Sequence, residues 1–85
     1  IIKLRILYFA EIKEIIGKGE DIINIQNATS LNDLIENLKS INEKYRLAFK
    51  KKNLKCAVNF EYIDSFEKKI NNTDEVAFFP PVTGG

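Results

Sequence analysis

The chain has 85 residues, of which 45% are hydrophobic and 29% charged, which predicts one small globular domain rather than a disordered chain or two cores. The 13 Lys and Arg residues nearly balance the 12 Asp and Glu residues, which argues against a dedicated nucleic-acid binder. A single Cys excludes an internal disulfide, and no apolar run approaches the roughly 20 residues that span a bilayer.

These properties favour a reducing, cytoplasmic setting, with no nucleic acid and no membrane as partner. His is absent altogether, which removes the commonest general base and the commonest metal ligand. With one Cys as well, no Cys/His zinc cluster can form, and we expect no metal site. Cys56 lies beside Ala57 and Val58 in an apolar segment, so we interpret it as a buried structural thiol rather than a nucleophile.

The first part of the chain predicts two strands joined by a short helical segment. Apolar residues alternate with polar ones from Ile2 to Tyr8, which is typical of a half-buried strand. Residues 20–25 predict a second strand. Residues 10–16 between them predict a helical turn that ends at Gly17.

The main helix is predicted to begin after Ser30. Ser30 as N-cap and Asp33 three residues later approximate a capping box. Apolar side chains then recur at helical spacing along one stripe, at Leu31, Leu34, Ile35, Leu38 and Ile41. We expect helical packing to resume at residues 45–49, after a break near residues 40–42.

The second half of the chain predicts short strands over residues 54–58, 62–63 and 75–79. Phe66 and Ile70 are expected to anchor an irregular segment between the last two. The predicted class is therefore α+β, with a mixed sheet of about four to five strands packed on one main helix.

The last strand carries two adjacent aromatic residues, Phe78 and Phe79. Neighbours on a strand point to opposite faces, so one ring should lie in the core and the other should be exposed. The sequence alone does not decide between them.

The chain ends in Pro80-Pro81-Val82-Thr83-Gly84-Gly85, a segment without a charged side chain. The prolines favour an extended path, and the glycines let another molecule approach the backbone closely. We predict a domain over residues 1–79 and a flexible, extended tail over residues 80–85. By composition alone, a frayed terminus without a function is equally consistent.

The segment from Asp74 to Gly85 resembles the C-terminal signature of the small subunit of molybdopterin synthase, among the ubiquitin-like sulfur carriers. Residues 7–14 and Ala57-Val58-Asn59 resemble that family too. The Phe-Phe-Pro-Pro-Val-Thr sequence before the two glycines favours this family over other Gly-Gly carriers. The resemblance implies a β-grasp (ubiquitin-like) fold.

The resemblance also implies the chemistry of a sulfur carrier. A ubiquitin-activating-like adenylyltransferase would use ATP to adenylate Gly85, and sulfur would then displace AMP to leave a thiocarboxylate. Gly84 would have to stay free of a side chain. The large synthase subunit would supply the catalytic side chains and pass the sulfur to cyclic pyranopterin monophosphate, in an assembly of two small and two large subunits. No cofactor is expected on the chain itself.

A carrier of this kind must dock through an apolar patch. The predicted contacts with the large subunit are three aromatic residues and the beginning of the tail, namely Phe9, Tyr62, Phe79, Pro80, Pro81, Val82 and Thr83. For each aromatic residue taken singly, a place in the core is an equally good interpretation.

Two other classes of function remain open. One is a carrier for thiamine thiazole synthesis or a ubiquitin-like protein modifier, which would use the same terminal chemistry. The other is a non-covalent β-grasp interaction module, in which the Gly-Gly tail has no covalent role.

Overall fold

Within residues 2–50 and 53–81, the part of the chain that the computed structural model describes, strands and helices share one core. The strands are β1 (Leu4–Tyr8), β2 (Glu20–Ile23), β3 (Thr29–Ser30), β4 (Lys55–Val58), β5 (Glu61–Tyr62), β6 (Lys69–Ile70) and β7 (Glu75–Phe79). The helices are α1 (Ala10–Ile16), α2 (Leu31–Lys39) and α3 (Glu43–Phe49).

The main sheet has five strands in the order β2-β1-β7-β4-β5. β7 lies in the middle, parallel to β1 and antiparallel to β4, while β1 and β4 pair antiparallel with the edge strands β2 and β5. This mixed sheet under helices confirms the predicted α+β, β-grasp class. As a result, the chain leaves the sheet from its central strand.

The helix α1 connects β1 to β2 and is longer than the single turn that the sequence suggests. Ile12 and Ile16, four residues apart, are both buried on one side. Gly17 ends the helix with φ of 92°, a left-handed conformation, and its N–H donates to the carbonyl of Lys13 at 2.8 Å. Glycine adopts this conformation without steric cost, which explains why the helix ends at this residue.

The helix α2 has the predicted N-cap and a shorter apolar stripe. The Oγ atom of Ser30 accepts a hydrogen bond from the backbone N–H of Asp33 at 3.1 Å. The four apolar residues from Leu31 to Leu38 are buried, but Ile41 is 51% exposed. The prediction that Ile41 continues the stripe is wrong, because the helix ends at Lys39.

Helical packing resumes in α3, as expected. The Oδ1 atom of Asn42 accepts hydrogen bonds from the backbone N–H groups of Lys44 and Tyr45, and so caps the helix. Phe49 of α3 meets Phe78 edge to face, with 5.0 Å between the ring centroids. The helix thereby packs on the central strand.

The first strand begins later than the alternation predicts. Leu4, Ile6 and Tyr8 are buried, whereas Ile2 precedes β1 and is 64% exposed. Including Ile2 in the inward-facing set is therefore wrong.

The segment before β7 is more regular than predicted. Ile70 lies in β6, which pairs with β3 in a separate two-stranded ladder. Next to that ladder, the carbonyls of Lys68 and Phe66 accept from the backbone N–H groups of Leu31 and Asn32, at 3.1 and 2.9 Å. These bonds satisfy donors in the first turn of α2 that have no partner within a helix, and they explain why the chain forms a ladder here. Ile70 is buried and Phe66 packs against the core, which confirms both as anchors.

Candidate functional site: the open face of the sheet

The helices cover one face of the main sheet, and the other face is open. On the three central strands, the buried residues alternate with half-buried or exposed ones, so the two sets point to opposite faces. Leu7, Ala77 and Ala57 are half-buried and lie side by side across β1, β7 and β4. They form the middle of the open face.

The residues that follow β1 and β7 lie at the same end of the sheet, because the two strands run parallel. Phe9 has an extended backbone and continues β1, so its ring points to the same face as that of Leu7. Its N–H donates to the carbonyl of Phe78 at 3.1 Å, and its side chain is 48% exposed. Phe79 is the last residue of β7 at this end of the sheet, immediately before Pro80.

The structure brings two of the predicted contact residues together. The rings of Tyr62 and Phe79 meet edge to face with centroids 5.5 Å apart. Tyr62 is 79% exposed and Phe79 is half-buried, so neither ring belongs to the core. We call the surface formed by Leu7, Phe9, Ala57, Tyr62, Ala77 and Phe79 the apolar face.

Phe78 and Phe79 occupy the two faces of β7. Phe78 is fully buried under the helices, whereas Phe79 lies on the open side. The prediction of opposite faces is therefore confirmed, and the structure identifies Phe79 as the outward ring.

The predicted tail residues fall into two groups. Pro80 and Pro81 follow β7 and are half-buried. Val82, Thr83, Gly84 and Gly85 lie outside the described residues, so their predicted roles stay predictions.

A small recess opens beside Phe79 that the sequence did not indicate. It has a volume of about 280 Å³ and is lined by Lys55, Cys56, Tyr62, Ile63, Asp64 and Phe79. Its walls combine apolar surface with one cation and one anion, which suits an apolar side chain with polar neighbours. The residues that form it come from β4, from β7, and from β5 with the two residues after it. Only the pairing of β4 with β5 and β7 brings them together.

The opposite end of the open face is charged. Arg5 of β1 forms ion pairs with Glu20 of β2 at 3.1 Å and with Glu75 of β7 at 3.3 Å. All three side chains point to the open side by strand alternation. The open face thus has a charged end at Arg5 and an apolar end at the beginning of the tail.

Cys56 contributes no reactive thiol to this surface. Its side chain is 1% exposed, and burial raises the pKa of the Cys56 thiol to about 12. The thiolate, which is the nucleophile, is therefore scarce at neutral pH. The interpretation of Cys56 as a structural thiol is confirmed.

A cluster of polar side chains lies away from the apolar face, beside the edge strand β2 on the side of the sheet that the helices cover. The Oδ2 atom of Asp21 accepts hydrogen bonds from the hydroxyls of Tyr8 at 2.8 Å and Tyr45 at 2.6 Å. The Nζ atom of Lys18 donates to Oδ1 at 2.9 Å. Partial burial of Asp21 opposes its ionisation, but these bonds outweigh it and hold the pKa of the carboxyl below its ordinary value.

The two tyrosines of this cluster are held in their neutral form. Burial, and then the hydrogen bond to Asp21, raises the pKa of Tyr8, and the same two causes raise the pKa of Tyr45. Because the hydroxyls donate to a carboxylate in the native state, we interpret the cluster as a structural tie between β1, β2 and α3.

Within residues 2–50 and 53–81, no group of three His, Cys, Asp or Glu side chains is placed to hold a metal ion. In the same part of the chain, no helix is long and apolar enough to cross a bilayer.

The chain is similar in sequence to known proteins. Residues 6–85 match the model of the ThiS family. A curated relative from Haemophilus influenzae is 37% identical, with 96% of this chain and 99% of the relative covered. One from Dictyostelium discoideum is 42% identical, with 98% and 96% covered. Both are named molybdopterin synthase sulfur carrier subunit.

Two solved structures share the fold. A Pyrococcus furiosus protein, described as a candidate molybdopterin converting factor subunit 1, superposes with a TM-score of 0.77 at 29% identity, covering 96% of this chain and all of that one. A Helicobacter pylori chain superposes with a TM-score of 0.69 at 23% identity, covering 99% and 100%. That structure is a complex of subunits 1 and 2 of molybdopterin-converting factor.

Proposed function

The chain belongs to the ThiS family, and on that premise we propose that it is the sulfur-carrier subunit of a molybdopterin synthase. The observation that carries the proposal is the place where the described chain leaves the sheet. Pro80 and Pro81 follow the central strand β7 directly, at the end of the open apolar face where Phe79 lies.

The proposed chemistry takes place on the terminal carboxylate of Gly85. A carboxylate is a poor electrophile, so an adenylyltransferase of the ubiquitin-activating type first joins it to AMP and releases pyrophosphate from ATP. A sulfur nucleophile then attacks the acyl carbon, the bond to AMP breaks, and a thiocarboxylate remains. The chain's own task is to present this carbon with no side chain nearby, which is the role proposed for Gly84 and Gly85.

The chain offers no better place for the sulfur. Cys56 is the one cysteine of the sequence, and burial with a pKa of about 12 keeps it protonated. A persulfide carrier needs an accessible thiolate. The terminal carboxylate is therefore the proposed site of loading.

The proposed partner at the next step is the large subunit of the synthase. There the thiocarboxylate would give its sulfur to cyclic pyranopterin monophosphate, and the carrier would return as a carboxylate to be loaded again. The large subunit would supply the acid and base groups. The complex of two subunits known for the Helicobacter pylori protein supports such a partner, and an assembly of two small and two large subunits is part of the proposal.

The apolar face is the proposed contact surface for this partner. Phe9, Tyr62 and Phe79 offer aromatic rings at the edge of the sheet where the tail begins, and such rings dominate the energetics of many interfaces. Pro80, Pro81, Val82 and Thr83 would continue the contact into the partner's active site.

The direct test is the intact mass of the purified chain after incubation with ATP, a sulfur donor and a matching adenylyltransferase. We expect the mass increase of one sulfur replacing one oxygen, located by fragmentation on the C-terminal peptide. No increase, with an enzyme that loads another carrier in the same assay, would favour the non-covalent module. Copurification with a thiazole synthase instead of the large subunit would favour the thiamine pathway.

The variant Gly84→Val tests the role of the tail, and we expect it to leave the fold intact. We expect it to lose loading or sulfur transfer. Gly19→Val is the matched control, since a Cβ there meets only the flexible side chain of Lys13, at 3.5 Å. Equal molybdopterin formation by the wild type and Gly84→Val would contradict the proposal.

A further inference from the structure

The hairpin between β4 and β5 carries an exposed aromatic ring at a position where the backbone favours glycine. Asn59 and Phe60 connect the strands, and both have positive φ, 51° and 71°. Two-residue hairpins with this backbone are most often Asn-Gly, because other side chains are crowded in the left-handed region. Phe60 is nonetheless 89% exposed. The backbone of the turn is therefore strained, and no burial of the Phe60 ring offsets that strain.

Hydrogen bonds of the side chain explain why Asn59 has a positive φ, but nothing comparable among the described residues explains the positive φ of Phe60. The side chain of Asn59 donates to Asp74 at 2.9 Å and accepts from the backbone N–H of Glu75, also at 2.9 Å. Asn59 therefore ties the hairpin to the beginning of β7. In the part of the chain that the structure describes, no aromatic ring packs against Phe60.

Phe60 lies next to the apolar face, in the turn that leads into β5. It precedes Tyr62 by two residues, and β5 is an edge strand of the main sheet. Since β4 lies between β5 and β7, Phe60 and Tyr62 belong to the edge of the sheet, whereas Phe79 lies two strands further in.

Phe60 would add to the surface that is available for a complex. A stable interface buries about 800 Å² on each partner, whereas a large aromatic side chain supplies about 150–250 Å². Tyr62 and Phe79 alone fall short of that area. Phe60 belongs to the same hairpin as Tyr62, so the partner proposed to cover Tyr62, the large subunit, is the one that would also meet Phe60.

The charge next to Phe60 indicates the chemistry of the partner surface. Glu61 follows Phe60 and is exposed. No cation of residues 2–50 or 53–81 lies within ion-pair distance of it. A cationic side chain of the partner could therefore pair with Glu61 at the rim of a recess that takes the ring.

We propose that Phe60 is an anchor residue for the large subunit, inserted into an apolar recess that has a cationic side chain at its rim. This rests on the proposed function. On this proposal, the ring held by the strained turn acts in the complex and not in the fold.

The test compares the affinity of the full chain and its variants for the purified large subunit by isothermal titration calorimetry. Phe60→Gly and Phe60→Asn should each weaken binding at least tenfold. Their urea unfolding midpoints should be equal to or higher than that of the wild type, because both residues tolerate positive φ. Phe60→Tyr keeps the ring and should keep the affinity within about threefold. Glu61→Gln should weaken binding less than Phe60→Gly does, and it should reduce the dependence on salt.

Leu47→Ala is the matched control, since Leu47 is 49% exposed on α3, on the other side of the sheet. It should leave the affinity unchanged. Unchanged binding by Phe60→Gly would overturn the anchor role and leave the proposed function standing. A loss of affinity accompanied by a lower unfolding midpoint would also overturn it, since the ring would then serve the fold. Absence of binding by the wild type would overturn the proposed function as well.

Discussion

At the scale of single residues, the two adjacent phenylalanines of β7 show how one strand serves both the core and the open face. Phe78 is fully buried against Phe49, and Phe79 packs on the exposed ring of Tyr62. Strand alternation requires opposite faces, but it does not say which face the helices cover. That choice depends on the path of the chain through α1 and α3, which a short alternating pattern does not contain.

The two rings should therefore respond differently to truncation. Phe78→Ala leaves a cavity in the core and should lower the free energy of unfolding by about 3–5 kcal/mol. Phe79→Ala removes a ring from the surface and should cost much less stability, while it weakens binding to the large subunit. Urea unfolding of both variants checks the first part, and calorimetric titration of Phe79→Ala checks the second. Equal destabilisation by the two changes would contradict the assignment of faces.

At the scale of elements, the carboxylate of Asp21 joins the edge strand β2 to both a neighbouring strand and a helix. Its Oδ2 atom accepts from Tyr8 on β1 and Tyr45 on α3, and Asp21 itself belongs to the edge strand β2. Hydrogen bonds to a charged group contribute about 1.5–3 kcal/mol each, and less where water competes. The tie is therefore a major contact of β2 with the helix layer.

This tie predicts a dependence of stability on pH. The pKa of Asp21 is lower in the folded chain than in the unfolded one, so the unfolded chain takes up the proton first as the pH falls. The contribution of the carboxylate is complete above the unfolded pKa of about 3.9 and is lost as the pH falls through the lowered folded pKa. Urea unfolding at several pH values should show Asp21→Asn less stable than the wild type by about 1–3 kcal/mol near pH 7.

The measurements at low pH are the control for this prediction. The difference in the free energy of unfolding between Asp21→Asn and the wild type should shrink towards zero at the acid end. Tyr45→Phe removes one hydrogen-bond donor and should show a smaller loss of stability near neutral pH. A difference that stays constant down to about pH 2 would mean that packing, rather than charge, sets the effect.

Elements with a long pattern were predictable from the sequence, and short ones were not. The apolar stripe of α2 and its Ser30 cap extend over nine residues and specify a helix. A two-residue strand such as β6 has no measurable period, and it forms because the chain beside it satisfies the N–H groups of Leu31 and Asn32. The polar tie at Asp21 was missed for a related reason, since its three partners are separated in sequence and only the fold brings them together.

At the scale of the whole molecule, the sequence predicts a tail and three aromatic contact residues, but it does not predict how those residues are arranged. Tyr62 and Phe79 meet because β4 pairs with both of their strands. The recess lined by Lys55 and Asp64 depends on the same registers. The pairing of β4 with β7 cannot be read from local patterns, because these two strands are not consecutive in the sequence.

The division of the chain at residue 79 is open to a direct test. Phe78 is the last buried residue of β7, and Phe79 still pairs with Lys55, so the described core is complete before the prolines. Removal of residues 80–85 should change the free energy of unfolding by no more than about 1 kcal/mol and should abolish loading with sulfur. Removal of residues 78–85 is the matched control, because it takes away a core ring and should cost about 3–5 kcal/mol or prevent folding. Urea unfolding of the two truncations, beside the intact mass after the loading reaction, separates the roles of the two segments. A large loss of stability on removing residues 80–85 would make the tail part of the domain, and a tail that must enter another protein's active site could not then be held by its own fold.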